Sequence, residues 1–251
     1  MRPWVSWDTR LLVRSFVFAA SASLLAALVG AATDEGGVSL GERASRVAPV
    51  VPVCCALAAY VSLAPAVARG ELIALAAAGV RPGRAVVAAV AGATLFAVLT
   101  ALAIFGDVLS PSAFYPVVPK VSVFTYEGGC FVDAGRGVAV DMTGAISSIE
   151  QAATAAGDAG LPRGARWVSS VSTLLLGAGF SLSFARTLLR DAGRMTLITG
   201  VLAAAALGAF QSAAVRAIPG WSPVLVAMVL LAVGAVRYAV IDGRFVSSGD
   251  L

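Results

Sequence analysis

The 251-residue chain contains no histidine, and Lys120 is its only lysine. Without histidine there is no Ser-His or Cys-His nucleophile activation, no HExxH zinc hydrolysis and no haem ligation by imidazole. No GxxxxGK[ST] stretch occurs, so the chain does not hydrolyse ATP through a P-loop. Cysteine is scarce: Cys54 and Cys55 are adjacent in an apolar run and Cys130 stands in a polar stretch. That spacing matches no zinc site, and small buried residues plus one loop thiol account for all three. Neither metal nor cofactor is expected. Charge is the other scarcity. Only 13% of residues are charged, against about 25% in a soluble domain. The net charge of +4 sits in arginines that flank apolar runs, with no basic stripe interleaved with aromatics, so nucleic acid is not an expected partner.

What is there is hydrophobic: 59% of residues, with a mean hydropathy of +0.90. The apolar runs have the length of membrane helices rather than of porin strands. The fold class read from this pattern is an all-α membrane protein. Six transmembrane helices are expected, at about 11–32, 47–68, 85–109, 168–188, 195–215 and 223–241. The first is too long for a signal-peptide core, and "AATDEGG" is a poor cleavage site, so it reads as a retained helix. The second contains Pro49, Pro52 and Pro65, which predict kinks. In the fifth, Gly200, Ala204 and Gly208 share a face that lets another helix approach closely, from within the chain or from a second subunit.

Arginine placement sets the expected orientation. One side holds Arg2, Arg10, Arg14, Arg69, Arg81, Arg84, Arg186, Arg190, Arg194, Arg237 and Arg244. The other holds Arg43, Arg46, Lys120, Arg136, Arg163, Arg166 and Arg216. Both termini are then cytoplasmic. Three regions follow: residues 1–109 with helices 1 to 3, an external insertion at 110–166, and residues 167–251 with helices 4 to 6 and a short tail. Within the insertion, Val121–Tyr126, Cys130–Asp133 and Gly137–Met142 read as three short strands separated by "EGG" and "AGRG" turns. Ala145–Ala156 reads as a short helix.

Between the second and third runs lies "RGELIALAAAGVRPGR" (69–84). Glu71 falls in the first turn of a short helix, where a carboxylate suits the exposed N–H groups and the dipole. Gly79 marks its end and Pro82 follows as a stop. The result is a helix over about 70–79 on the cytoplasmic face. Two readings stand side by side. Glu71 caps an ordinary interfacial loop whose arginines hold topology, or the helix is a knob offered to a cytoplasmic partner, with Glu71 pairing to an arginine there.

This stretch resembles the signature of the lipopolysaccharide-export permeases of the LptF/LptG (YjgP/YjgQ) family, in which a segment similar to E-L-x-A-L-x-A-A-G-x-S-x-x-R follows the second span. Glu71, Leu72, Ala74, Leu75, Ala77, Ala78, Gly79 and Arg84 match, and Arg81 replaces the serine. "GVSLGERASRVAPVVPVCCALAAYVSLAPAVA" and "AIPGWSPVLVAMVLLAVG" are similar to the family's second and last spans. The resemblance implies a bacterial inner-membrane permease subunit of an ABC transporter. It would extract lipopolysaccharide or a related glycolipid, paired with a second permease subunit (an identical or a related chain) and driven by a cytoplasmic P-loop ATPase dimer. The short helix would be the coupling helix, with Glu71, Leu72, Leu75, Gly79 and Arg84 as its residues. Arg43 and Arg46 are candidates for lipid-headgroup contact. The family's external domain is a larger β-jellyroll that stacks on a periplasmic bridge protein. The insertion here is too short for one, so the chain reads as a divergent member.

Three other functions are weighed. A secondary transporter needs ionisable groups at mid-membrane, and Asp107 is the only acid within an expected span, near its outer end. An intramembrane enzyme lacks a second acid at depth, so the chain is not expected to be an enzyme. A non-transporting membrane scaffold is the main alternative.

Overall fold

The computed structural model describes residues 3–33, 40–79, 81, 83–115, 125–127, 130–133, 138–144, 146–148, 161–187, 192–214 and 216–247. Among these residues the chain forms eight α-helices: α1 (Pro3–Thr33), α2 (Leu40–Val47), α3 (Val51–Ala68), α4 (Glu71–Ala77), α5 (Gly83–Phe105), α6 (Ala165–Thr187), α7 (Ala192–Ala214) and α8 (Ser222–Ser247). Four helical segments, Trp7–Ala32, Gly41–Ala68, Gly83–Phe105 and Ala165–Ala185, are long and apolar enough to cross a membrane. Gly200–Ala214 and Ser222–Val236 are shorter apolar parts of α7 and α8. The chain is thus a helical membrane protein.

Helix α6 is the centre of the bundle and packs on α3, α5 and α8. Helix α1 lies against α3 and α5 on one flank, while α7 touches chiefly α8 and α6. Small residues set the spacing. A Cβ at Gly92 in α5 would stand 2.1 Å from the Leu12 carbonyl oxygen of α1, so the two backbones meet directly there. One helical turn further along, the Phe16 and Phe96 rings meet edge to face at 5.9 Å. The core on this flank is mostly alanine, including Ala19, Ala59, Ala89 and Ala93, all fully buried. The second core cluster, between α6, α7 and α8, is built on larger side chains such as Phe180, Phe210 and Leu230.

Several sequence expectations change here. Pro49, Pro52 and Pro65 all lie within the Gly41–Ala68 segment, but only Pro65 is internal to an α-helix. Pro49 is in a 3-10 turn, Ala48–Val50, and Pro52 is in the first turn of α3. A missing N–H costs nothing at these positions. Pro65 alone of the three is internal to α3.

Helix α5 ends at Phe105, not near Leu109. The Asp107 N–H donates to the Ile104 carbonyl and the Val108 N–H to that of Ala103. With Asp107 at a φ of 63°, this is a Schellman stop. Asp107 is therefore outside the helix. It is exposed and ion-paired with Arg166 at 2.6 Å, which draws together the two ends of the chain that flank the insertion.

Among the described residues the insertion carries four strands where three were expected: β1 (Thr125–Glu127), β2 (Cys130–Asp133), β3 (Val138–Asp141) and β4 (Ile146–Ser148), an antiparallel meander in the order β1-β2-β3-β4. The expected helix at Ala145–Ala156 is contradicted at 146–148, where Val140 pairs with Ile146 and Ala139 with Ser147. Hydrogen bonding to the edge of β3 overrides the local helical pattern. The rest of that segment, 145 and 149–156, lies outside the described residues. Just after α5, a 3-10 turn at Pro111–Phe114 returns to the bundle. There Phe114 and Tyr115 pack on Phe210 of α7 at 5.3 and 5.4 Å.

The close approach at Gly92 has a direct test. Gly92→Ala places a methyl into the α1 backbone and is expected to destabilise by about 1–3 kcal/mol, read as a lower unfolding midpoint in detergent. Gly200→Ala, where nothing lies within 4 Å, leaves the midpoint unchanged or raises it.

Candidate functional site

Residues 69–79 form a compact knob at one end of the bundle. Helix α3 stops because Gly70 adopts a φ of +68°. The Gly70 N–H donates to the Val67 carbonyl and the Arg69 N–H to that of Pro65. The same glycine starts α4: its carbonyl accepts the N–H groups of Ile73 and Ala74, each at 3.1 Å. Helix α4 ends within two turns, with the Gly79 N–H donating to the Ala76 carbonyl at a φ of +76°. One glycine thus closes a long helix and opens a short one, and a second glycine closes the short one.

Helix α4 has two faces. Leu72 and Leu75, one turn apart, are 7% and 8% exposed and belong to the core cluster with Leu11, Leu63, Ala85 and Val86. They seat the knob in a core that residues of α1, α3 and α5 also line. Ile73, between them in sequence, is 77% exposed, and the alanines from Ala76 to Ala78 share its open surface. A membrane-edge helix that buries two leucines and presents an isoleucine is a seated, apolar-tipped projection.

The charges around it are organised within the chain. The Arg69 Nε donates to Glu71 Oε1 at 2.6 Å, with the Glu71 side chain 35% exposed. The Arg84 Nε donates to Asp8 Oδ2, also at 2.6 Å. That second pair ties the start of α5 to the start of α1 and places α4 at the same end of the bundle as the α1 N-terminus. Both pairs are partly exposed, so each contributes roughly 0–1 kcal/mol. Their effect is to fix geometry more than to stabilise the fold.

The sequence-predicted residues therefore fall in two places. Glu71, Leu72, Leu75 and Gly79 share α4, and Arg84 stands just beyond it. Leu72 and Leu75 serve as the seat of the knob, so outward contact falls to Ile73 instead. Arg43 and Arg46 are on α2, at the other end of α5, which at ~1.5 Å per residue is about 35 Å away. There Ser45 Oγ donates to the Gly41 carbonyl and accepts from the Ser110 N–H, both at 2.8 Å. Arg43 and Arg46 each engage partners within the chain. Among the described residues no group of three His, Cys, Asp or Glu side chains gathers for a metal.

Sequence reasoning missed Ile73, Asp8 and Arg69. The spacing of Leu72 and Leu75 could have found Ile73, because a two-turn helix with leucines at i and i+3 leaves the residue between them facing out. Asp8 pairs across 76 positions of sequence, and nothing local marks it.

No family model, curated protein or solved structure matches the chain. The chemistry of the knob therefore rests on its own geometry: one carboxylate, an apolar tip and arginines on either side.

The seat has a test in amide exchange. Leu75→Ala is expected to speed exchange at residues 74–78 by at least about tenfold while α3 and α5 are unchanged. Ile73→Ala should leave the same amides as they are.

Proposed function

We propose that the chain is the permease subunit of an ABC-type lipid exporter, driven by a P-loop ATPase on a separate chain. The observation that carries this reading is α4: a two-turn helix seated between α3 and α5 by Leu72 and Leu75, with Ile73 outward and Glu71 at its start. A projection of this kind transmits force only if it is fixed to the helices it must move, and the leucine seat supplies that. The likeness of residues 69–84 to the LptF/LptG signature supports the same assignment, with a lipopolysaccharide-like glycolipid as cargo and a second permease subunit completing the pathway. In this reading all six apolar helices cross the bacterial inner membrane. The α4 end and both termini face the cytoplasm, and the strand-bearing insertion lies outside. A periplasmic bridge protein or the partner permease supplies what the short insertion lacks, and Arg43 and Arg46 stand where headgroups pass.

One observation favours a non-transporting scaffold: Arg69 already engages Glu71. A carboxylate accepts from two cations at once, so this pair does not exclude an arginine of the ATPase.

Copurification in mild detergent separates the two readings. The wild-type chain is expected to carry a P-loop ATPase with it. Ile73→Asp places a charge on the apolar tip and Glu71→Lys reverses the acid; each is expected to lower recovery of the ATPase at least about tenfold, with an unchanged unfolding midpoint. Recovery of no ATPase by the wild type sinks the permease reading. Normal pumping by Glu71→Lys removes the role given to Glu71.

A further inference from the structure

Helix α1 carries a groove that neither the α4 knob nor the proposed transport cycle uses. It has a volume of about 390 Å³ and is lined by Thr9, Arg10, Val13, Arg14, Val17 and Phe18. These positions fall on one helical stripe. Its polarity runs lengthwise. Arg10 and Arg14, both exposed, stand at the end of the bundle that holds α4. Val13 and Val17, about half exposed, follow, and then Leu24, Leu25 and Leu28 continue outward.

From the Arg14 level to Leu24, at a rise of ~1.5 Å per residue, is about 15 Å, half of a hydrocarbon core of roughly 30 Å. The stripe therefore matches one leaflet, with cations at headgroup depth and apolar contact along the chain. Neither arginine forms an ion pair among the described residues, where Asp8 pairs with Arg84. The Arg14 guanidinium rests over the Phe18 ring at 5.4 Å from its centroid. This cation–π contact keeps the guanidinium on the same face of α1 as Phe18.

We infer that this face of α1 is a binding site for an anionic phospholipid of the leaflet on the α4 side. The phosphate sits between Arg10 and Arg14 and an acyl chain lies along Val13, Val17 and Phe18. Charge complementarity selects an anionic headgroup over a zwitterionic one, and the apolar run selects a lipid over a soluble anion. The site depends on the helices lying in a membrane and not on ATPase coupling. It lies beside Asp8, whose pairing with Arg84 joins α1 to the base of the knob, so a lipid held here would brace that joint.

The test is native mass spectrometry of the full chain, delipidated and then offered phosphatidylglycerol or phosphatidylcholine in detergent. Wild type is expected to retain phosphatidylglycerol preferentially. Arg10→Ala and Arg14→Ala are each expected to lower that preference about fivefold, and together about 25-fold. The paired Lys substitutions should keep most of it. Val17→Trp, which fills the groove and leaves both charges in place, should also lower retention. It serves as the deciding variant if the double alanine protein does not fold. Equal retention of the two lipids by wild type, or a preference that survives in both the double alanine and the Val17→Trp proteins, overturns the assignment. Binding of glycerol phosphate as tight as that of the intact lipid overturns it too. So does a Val17→Cys protein that oxidises fully to a disulfide-linked dimer, since a second copy would then cover the groove.

Discussion

The constraint on which the structure depends is that a chain this apolar must satisfy its backbone polar groups internally. In hydrocarbon an unpaired N–H or C=O costs several kcal/mol, and the long helices remove almost all of them along their lengths. Only helix ends are left to solve, and the informative features of this protein lie there. Left-handed residues close α3 at Gly70, α4 at Gly79 and α5 at Asp107. The 3-10 turn at Ala48–Val50 accommodates Pro49 where no helical donor is required.

The candidate site lies at one of these ends. There α4 is small, yet it is not a loose loop. Its leucines join a core shared by α1, α3 and α5, and the Arg84–Asp8 pair links the chain just beyond it to α1. At the far end, the Asp107–Arg166 pair and the ring packing on Phe210 hold the root of the insertion against the bundle. Among the described residues the long helices join the two ends, and on the α1–α3–α5 flank their alanine- and glycine-rich contacts permit close packing.

The helical class and the long apolar helices were legible because hydropathy and length decide them. The short helix, expected at about 70–79 and found at Glu71–Ala77, was legible from Glu71 at its start and from Gly79 and Pro82 after its end. The end of α5 was misplaced because an aspartate, not a glycine, took the left-handed position, and composition reads straight through "FGDVL". The fourth strand was hidden because Ile146–Ser148 is held by pairing to β3, a non-local contact. In the candidate site, Glu71 was visible as an acid at a helix start. The inward direction of Leu72 and Leu75 and the Asp8 partner of Arg84 needed the packed structure, since each depends on elements far away in sequence.

The central claim, that the outward face of α4 meets an ATPase, is tested most directly by photo-crosslinking. A benzoylphenylalanine placed at Ile73 in the native membrane is predicted to give one major adduct, identified by mass spectrometry as a P-loop ATPase. The same group at Leu24, on the open face of α1, should give none. Adducts at Ile73 that contain only lipid, or no protein adduct at all, would contradict the account.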